Sequence, residues 1–403
     1  MRSERTIIFL VAAVQFINIL DFMMVMPLGP DFSRGLGVPS SLLGYIGGSY
    51  TAAAAVAGFV GSFFLDRFDR RPALAVAMAG LVVGTIAGGF ATGLASLMAA
   101  RMIAGAFGGP ATSIALAIIA DVIPAERRGK AFGAAMGAFS VASVLGVPLG
   151  LELSLRGGWR LPFFAVGGLG LVVAASAVFY LPSLTLHLQG GPRGEQNPWR
   201  ALAALLRRRL VLLSYTMTAT IMMAGFMVIP NLAAYLQFNL GFPRKHIGVL
   251  YACGGAASFF TMRLAGRLID RYGSFRVASV ACAAVMLLCY VWFIRWVPGT
   301  PIIVLFVSFM IVQSFRNVAH STLTSKVPSP WERARFMSIQ STMQHIASAA
   351  GAFLGARLLI ELPDHRLVGM ETVAWLSISL TALLPLLFYA VEQGVKQGKL
   401  AAS

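Results

Sequence analysis

Residues 6–29 read TIIFLVAAVQFINILDFMMVMPLG. About 20 helical residues cross a hydrocarbon core of about 30 Å, so this run is long enough to span a bilayer. It contains one acid, Asp21, about two-thirds of the way along. A charged residue near the centre of a membrane helix costs roughly 2.5–3.5 kcal/mol on insertion scales, so it persists only beside a partner, water or a proton. The stretch therefore dictates a membrane fold and marks a functional candidate.

The rest of the chain agrees. Of its 403 residues, 58% are hydrophobic and 12% charged, with mean hydropathy +0.78; a soluble domain carries about 25% charged residues. Apolar runs near spanning length predict twelve helices, at about 7–29, 42–65, 72–92, 95–120, 131–153, 161–182, 209–232, 246–269, 275–297, 301–325, 335–360 and 369–391. The net charge of +17 is not a nucleic-acid footprint, because it is sided. Of the 32 Lys and Arg, seven fall on one side of the spans (Arg34, Arg156, Arg160, Arg244, Lys245, Arg295 and Arg366), four lie in or near span ends (Arg101, Arg263, Arg316 and Arg357), and 21 fall on the side of both termini. The positive-inside rule makes that side cytoplasmic and predicts a multi-pass protein of the cell inner membrane. The first run is too long for a cleaved signal and is expected to stay as the first membrane helix. Cys253, Cys282 and Cys289 lie within helices eight and nine, which suits apolar packing. The sequence has no GxxxxGK[ST] phosphate loop and no HExxH, so no cofactor, metal or enzymatic role is expected.

Residues 183–208, rich in Pro, Gly, Gln and Arg, divide an N-terminal unit (1–182) from a C-terminal one (209–403). This cytoplasmic linker reads either as a tether or as a short amphipathic helix capped by Asn197 and holding Trp199, Leu202, Leu205 and Leu206. The halves repeat. Leu65-Asp66-Arg67 returns as Ile269-Asp270-Arg271, Glu126-Arg127 as Glu332-Arg333, and Gly146 with Gly150 as Gly351 with Gly355, at shifts of 204 to 206. Asp66-Arg67-x-x-Arg70-Arg71 resembles motif A of the major facilitator superfamily, although Ser62 and Asp69 stand where that motif has glycine. Leu97-x-x-x-Arg101-x-x-Ala104-Gly105 resembles its motif B, and Gly146-Val147-Pro148-Leu149-Gly150 its motif C. On these motifs the chain is identified as a member of that superfamily, with Gly158-Trp159-Arg160 most similar to its drug and sugar efflux branch, which includes arabinose-efflux-like permeases and drug:proton antiporters.

The resemblance implies an all-α membrane protein of 12 transmembrane helices in two pseudo-symmetric six-helix bundles. It implies that helices one, four, seven and ten line a central cavity, that Gly146, Pro148 and Gly150 form a conformational hinge typical of exporters, and that Asp66, Arg70 and Asp121 form a cytoplasmic gate, with Asp270 and Arg271 its second copy.

Polar residues on the lining helices are the site candidates. Gln15, Asn18 and Phe22 share a face of helix one, with Asp21 at its edge. Helix one rises from the cytoplasmic side while helix four descends, which puts Asp21 roughly 21 Å from the inner edge and Arg101 roughly 9 Å from the outer edge of a core about 30 Å thick. Equal height makes them a candidate proton-coupling pair beside an aqueous vestibule; a permanent staple between helices is the other reading. Helix seven offers Phe226 and Asn231 among Tyr215, Met222, Met223 and Met227, a wall suited to a partly apolar ligand or to core packing. On helix ten, Arg316, Asn317 and His320 occupy adjoining turns. Arg316, with no acidic neighbour on its helix, reads as a fork for an anionic substrate group or as a partner of a backbone carbonyl. The expectation is a monomeric secondary transporter using a small-molecule substrate and protons in a lipid bilayer, with efflux by antiport, no nucleic acid and no cofactor. An uncoupled facilitator or importer of a small anionic or zwitterionic solute is the rival within the class, and a non-transporting membrane sensor the rival outside it.

Overall fold

A computed structural model describes residues 4–61, 65, 68–124, 131, 133, 135, 137–182, 203–328 and 333–400. Among these residues twelve long helices run through the molecule: α1 Glu4–Val25, α2 Leu43–Gly61, α3 Arg70–Gly89, α4 Leu94–Val122, α5 Gly137–Gly157, α6 Arg160–Tyr180, α7 Arg209–Ala234, α8 Ile247–Tyr272, α9 Ser274–Cys289, α10 Ile302–Thr324, α11 Arg333–Arg357 and α12 Met370–Leu400. Eleven of them are long and apolar enough to cross a membrane. The twelfth, α11, is diluted by Gln340, Gln344 and His345, which it can carry because it packs on α7 in its own bundle and on α2 across the bundle interface. An even number of crossings returns the chain to its starting face, the terminal face; the opposite one is the far face. A short helix, Gly29–Leu36, extends α1 there, and a two-strand hairpin pairs β1 (Ile360–Glu361) with β2 (Leu367–Val368) between α11 and α12. Most of the 183–208 linker lies outside the described residues.

Small residues let the helices approach. A Cβ on Gly351 would stand 2.5 Å from the Met223 carbonyl and one on Gly355 2.6 Å from that of Met227, so α11 lies directly on α7. Gly146 does the same for α5 against Leu20 of α1. In α5 the turn Ala142–Gly146 is π-helical, closed by Val147 N–H to the Ala142 carbonyl. Pro148, which has no N–H, follows at once, so the proposed hinge residues coincide with a break in the regular ladder.

The two copies of the loop after α2 and α8 start their next helix differently. Asp69, where motif A has glycine, caps α3 by accepting the Arg71 N–H at 3.0 Å. At the matching position Gly273 has φ +86°, a left-handed conformation that favours glycine, and Glu392 of α12 supplies the cap by accepting the Phe275 N–H at 2.7 Å.

The apolar core has two regimes. Toward the far face a single cluster joins both bundles, with Leu28, Phe32 and Ile46 packed in one body with Met227, Val228 and Leu236. Toward the terminal face it divides. One cluster holds Ile7, Leu10, Leu74 and Ile118 of the first bundle, and a separate one holds Val211, Ile269, Leu323 and Phe388 of the second. The bundles are thus fused at one end and have independent cores at the other.

Candidate functional site

The interior of the first bundle is built around Asp21. Arg101 of α4 grips it with two parallel bonds, Nη1 to Oδ1 at 2.9 Å and Nη2 to Oδ2 at 2.5 Å. Such a fork matches the carboxylate plane. Thr85 of α3 places its hydroxyl 2.7 Å from Asp21 Oδ1 and 2.8 Å from the Leu81 carbonyl, and its one proton serves one of them at a time. The Arg101 guanidinium also lies over the Tyr50 ring of α2, 4.8 Å from its centre. The pair expected from depth alone is in contact, but not beside water: Asp21 is 0% and Arg101 1% exposed. The expected aqueous vestibule is corrected to a closed chamber, because α2 and α3 cover the pair with Tyr50 and Thr85.

From this chamber a polar chain runs toward the terminal face. The Tyr50 hydroxyl donates to Asn18 Oδ1 at 2.6 Å, and Asn18 Nδ2 donates to the Gly108 carbonyl at 2.7 Å and to the Thr112 hydroxyl. A Cβ at residue 108 would overlap the Tyr50 and Asn18 oxygens, so this turn of α4 requires glycine. Asn18 is therefore occupied within its bundle rather than turned to a cavity. Gln15 is likewise buried, and its Nε2 has no partner. Phe22 leaves the network sideways: its ring is 5.1 Å from Tyr50 and 5.9 Å from Phe226 of α7, linking the chamber to the other bundle.

In the second bundle Arg316 is 2% exposed, and among the described residues no ion pair or hydrogen bond reaches it; its Nε is buried without a partner. It faces a small, partly open recess shared with Gly225 of α7, Cys289 of α9, Gln313 of the same helix and Ser377 of α12. His320, one turn on, is buried with Nε2 2.8 Å from the Thr218 hydroxyl. Asn317 is exposed on a different side of α10 and does not join Arg316. Asn231 is fully buried, with Nδ2 3.4 Å from the Met227 carbonyl and Oδ1 unpaired. The structure thus separates helix-ten residues that the sequence groups together.

Of the gate candidates, Arg70 Nε lies 3.0 Å from Asp121 Oδ2, tying α3 to α4 in the first bundle. Asp66 lies outside the described residues. Asp270 and Arg271 are exposed at the end of α8, with Arg271 over the Tyr272 ring at 5.3 Å. Glu152 pairs with Arg156 at 2.8 Å on the surface.

The cross-bundle lock was not among the sequence candidates. At the far face Arg244 donates to both oxygens of Asp31, Nη2 to Oδ2 at 2.5 Å and Nε to Oδ1 at 2.9 Å, while Ser154 donates to Oδ2 at 3.3 Å. Glu361 of the hairpin accepts the Ser40 N–H, and Arg34 covers the Phe238 ring at 5.5 Å. Hydrogen bonds from Arg366 hold the exposed Asp364 carboxyl of that loop below its ordinary range. Arg244 reads from the sequence as a topology charge; its partner is 213 positions away, so only the folded chain pairs them.

Two helical bundles fused at one end, with charged groups sealed at mid-depth, are an arrangement suited to a membrane transport protein. The Major Facilitator Superfamily model matches residues 11–352 and, overlapping, 215–402. The chain belongs to that superfamily and is a membrane transporter. Among solved structures it is similar to a D-xylose-proton symporter (TM-score 0.75, 15% identity, covering 96% of this chain and 97% of that one). It is also similar to a bacterial homolog of the human lysosomal transporter Spinster in an inward-facing, unoccupied conformation (0.72, 14%, 98% and 98%) and to the human organic anion transporter MFSD10 (0.65, 18%, 96% and 100%). At these identities the likeness is one of fold.

Proposed function

We propose that this transporter is a proton-coupled exporter of a small organic or amphipathic solute, with Asp21 as the proton site and Arg101 as its conditional partner. The observation that carries this reading is the sealed, bidentate Asp21–Arg101 pair under Thr85 and Tyr50. A buried ion pair is a weak source of stability, because desolvation offsets much of the attraction. It is a strong switch, because neutralising one member leaves the other uncompensated. When Asp21 takes a proton, Arg101 loses its counter-charge and keeps only the Tyr50 face; Tyr50 holds Asn18 on one side and Phe22 on the other, and Phe22 touches Phe226 of the second bundle. A protonation change at Asp21 thereby reaches the bundle interface.

The far face is the outside in this reading, which follows the distribution of Lys and Arg. The Asp31–Arg244 contact is then an outer gate, closed while the independent cores of the terminal half let the cytoplasmic side open. Gly146, Pro148 and Gly150 supply the bend in α5, and Asp66, Arg70 and Asp121 the opposing cytoplasmic gate.

Two measurements test it. Distances between spin labels at Arg156 and Arg366, exposed on the far face of each bundle, are expected to lengthen or shorten with pH in the otherwise native chain and to lose that response in Asp21→Asn. An unchanged pH response in that variant eliminates Asp21 as the proton site. In everted vesicles with an acid interior, solutes from a panel of amphipathic and carboxylate compounds are expected to dissipate the gradient, read by a pH-sensitive dye. Solute uptake with no proton movement favours the uncoupled facilitator.

A further inference from the structure

Arg316 is a permanent cation in an apolar bundle, and such a group is paired or it is costly. Among the described residues the second bundle offers it no acid. From residue 209 onward the acids are Asp270, Glu332, Glu361, Asp364, Glu371 and Glu392. Asp270 and Glu392 stand at the terminal-face ends of α8 and α12, Glu361 and Asp364 in the far-face loop and Glu371 in the first turn of α12, while Glu332 lies outside the described residues. Arg316 lies 14 residues from one end of α10 and 8 from the other, roughly 21 and 12 Å by helical rise. Among the described residues the one acid at mid-depth, Asp21, is already held on both oxygens by Arg101.

The recess in front of Arg316 has the chemistry of a receptor. Arg316 and Gln313 both line it; the Arg316 Nε donor is buried without a partner, and the Gln313 amide oxygen is buried and unpaired, so an amide flip would offer N–H instead. Gly225 keeps the space open: its missing Cβ would lie 3.8 Å from Arg316 Nη2, and a larger side chain would fill the recess. As it stands the recess has room for about one water molecule, so a solute presents only an end group there, and a carboxylate enters with a shift of the flexible Arg316 and Gln313 side chains. We infer that Arg316, with Gln313, binds the carboxylate of the transported solute, which makes the substrate class organic monoanions or zwitterions whose remaining body lies toward Phe226. This deepens the transport reading and rests on it; the coupling role of Asp21 is a separate matter.

The test uses the purified full chain in neutral detergent and zwitterionic buffer without added salt, with thermal unfolding followed by tryptophan fluorescence. Sodium acetate and sodium benzoate are expected to raise the midpoint saturably, as a ligand of the folded state does by mass action, and sodium chloride to raise it less. Arg316→Gln should lose the shift, and Arg316→Lys, which keeps charge but not the planar fork, should need at least roughly tenfold more carboxylate for the same shift. Asp21→Asn should keep it, so loss of coupling and loss of anion binding are read apart. If Arg316→Gln does not yield folded protein, Gly225→Val, which fills the recess without removing the charge, takes its place and should also abolish the shift. Equal responses of the native chain and these variants, no saturable response to either carboxylate, or saturation by chloride as strong as by acetate would each overturn the assignment.

Discussion

The two bundles share an architecture and treat a buried arginine in opposite ways. Arg101 is matched by a resident carboxylate, which a hydroxyl also holds, and by an aromatic face. Arg316 is as deeply buried and faces a recess with an unpaired amide. The repeat relates Thr85 of the first bundle to Cys289 of the second at the 204-residue shift, and Asp21 to the neighbourhood of Gly225 and Phe226. Where one half has an acid, the other has a gap. A duplicated scaffold has thus been given one internally neutral interior and one that is charged until something enters it, which fits a division of labour between proton and solute.

The sharpest way to break this contrast is to convert the first interior into the second. Asp21→Ala strands Arg101, and removing one member of a buried pair costs about 3–5 kcal/mol; the unfolding midpoint should fall by far the most of any single change discussed here. Arg316→Gln in the absence of small anions should leave the midpoint unchanged or raised, because an uncompensated charge is removed. Equal losses for the two would mean that Arg316 has a partner after all. The double change Asp21→Asn with Arg101→Gln should recover much of the loss, and the cycle isolates the pair's own coupling.

Next in size is the far-face lock. Arg244→Ala removes charge-assisted bonds from a pair only 10% and 15% exposed, worth about 2 kcal/mol of bias toward the closed far face. The distance distribution between labels at Arg156 and Arg366 should shift toward longer values. Lys396→Ala, which breaks the surface pair with Glu392 at the terminal face, its own side chain 60% exposed, should leave that distribution unchanged.

How much of this was legible in the sequence follows from range. Helix spans and the paired heights of Asp21 and Arg101 come from local hydropathy and a constant rise, quantities that a linear reading measures directly. The repeat likewise pairs Gly146 and Gly150 with Gly351 and Gly355 by a constant shift alone. Thr85 and Tyr50 stayed hidden because they sit on helices three and two, outside the set expected to line the cavity, and a threonine or tyrosine in an apolar helix carries no signal of its own. Asn317 was grouped with Arg316 by adjacency, yet one residue is about 100° of helical rotation, enough to put it on a different face. The Asp31–Arg244 lock depends on the short helix after α1 meeting the turn before α8, and nothing local announces that.

Tyr50→Phe tests the bridge between chamber and interface. It removes the hydroxyl that Asn18 Oδ1 accepts from and keeps the ring over Arg101. A net cost of about 1 kcal/mol is expected for one buried hydrogen bond, with a pH response of the label distances that persists because Asp21 and Arg101 are untouched. Loss of the response with unchanged stability would move the coupling role onto the hydroxyl.

The smallest effect belongs to Gly225→Ala. Its Cβ would meet Ile229 at 3.6 Å and Arg316 at 3.8 Å, ordinary contact distances, while alanine gains up to about 1 kcal/mol of helix propensity over glycine. The midpoint should therefore rise slightly. At Gly351 the same change drives a methyl to 2.5 Å from the Met223 carbonyl and must push α11 off α7, so the midpoint should fall. Glycine serves close helix contact at one position and empty space at the other, and opposite signs for the two alanines would establish that the recess before Arg316 is kept open rather than left over from packing.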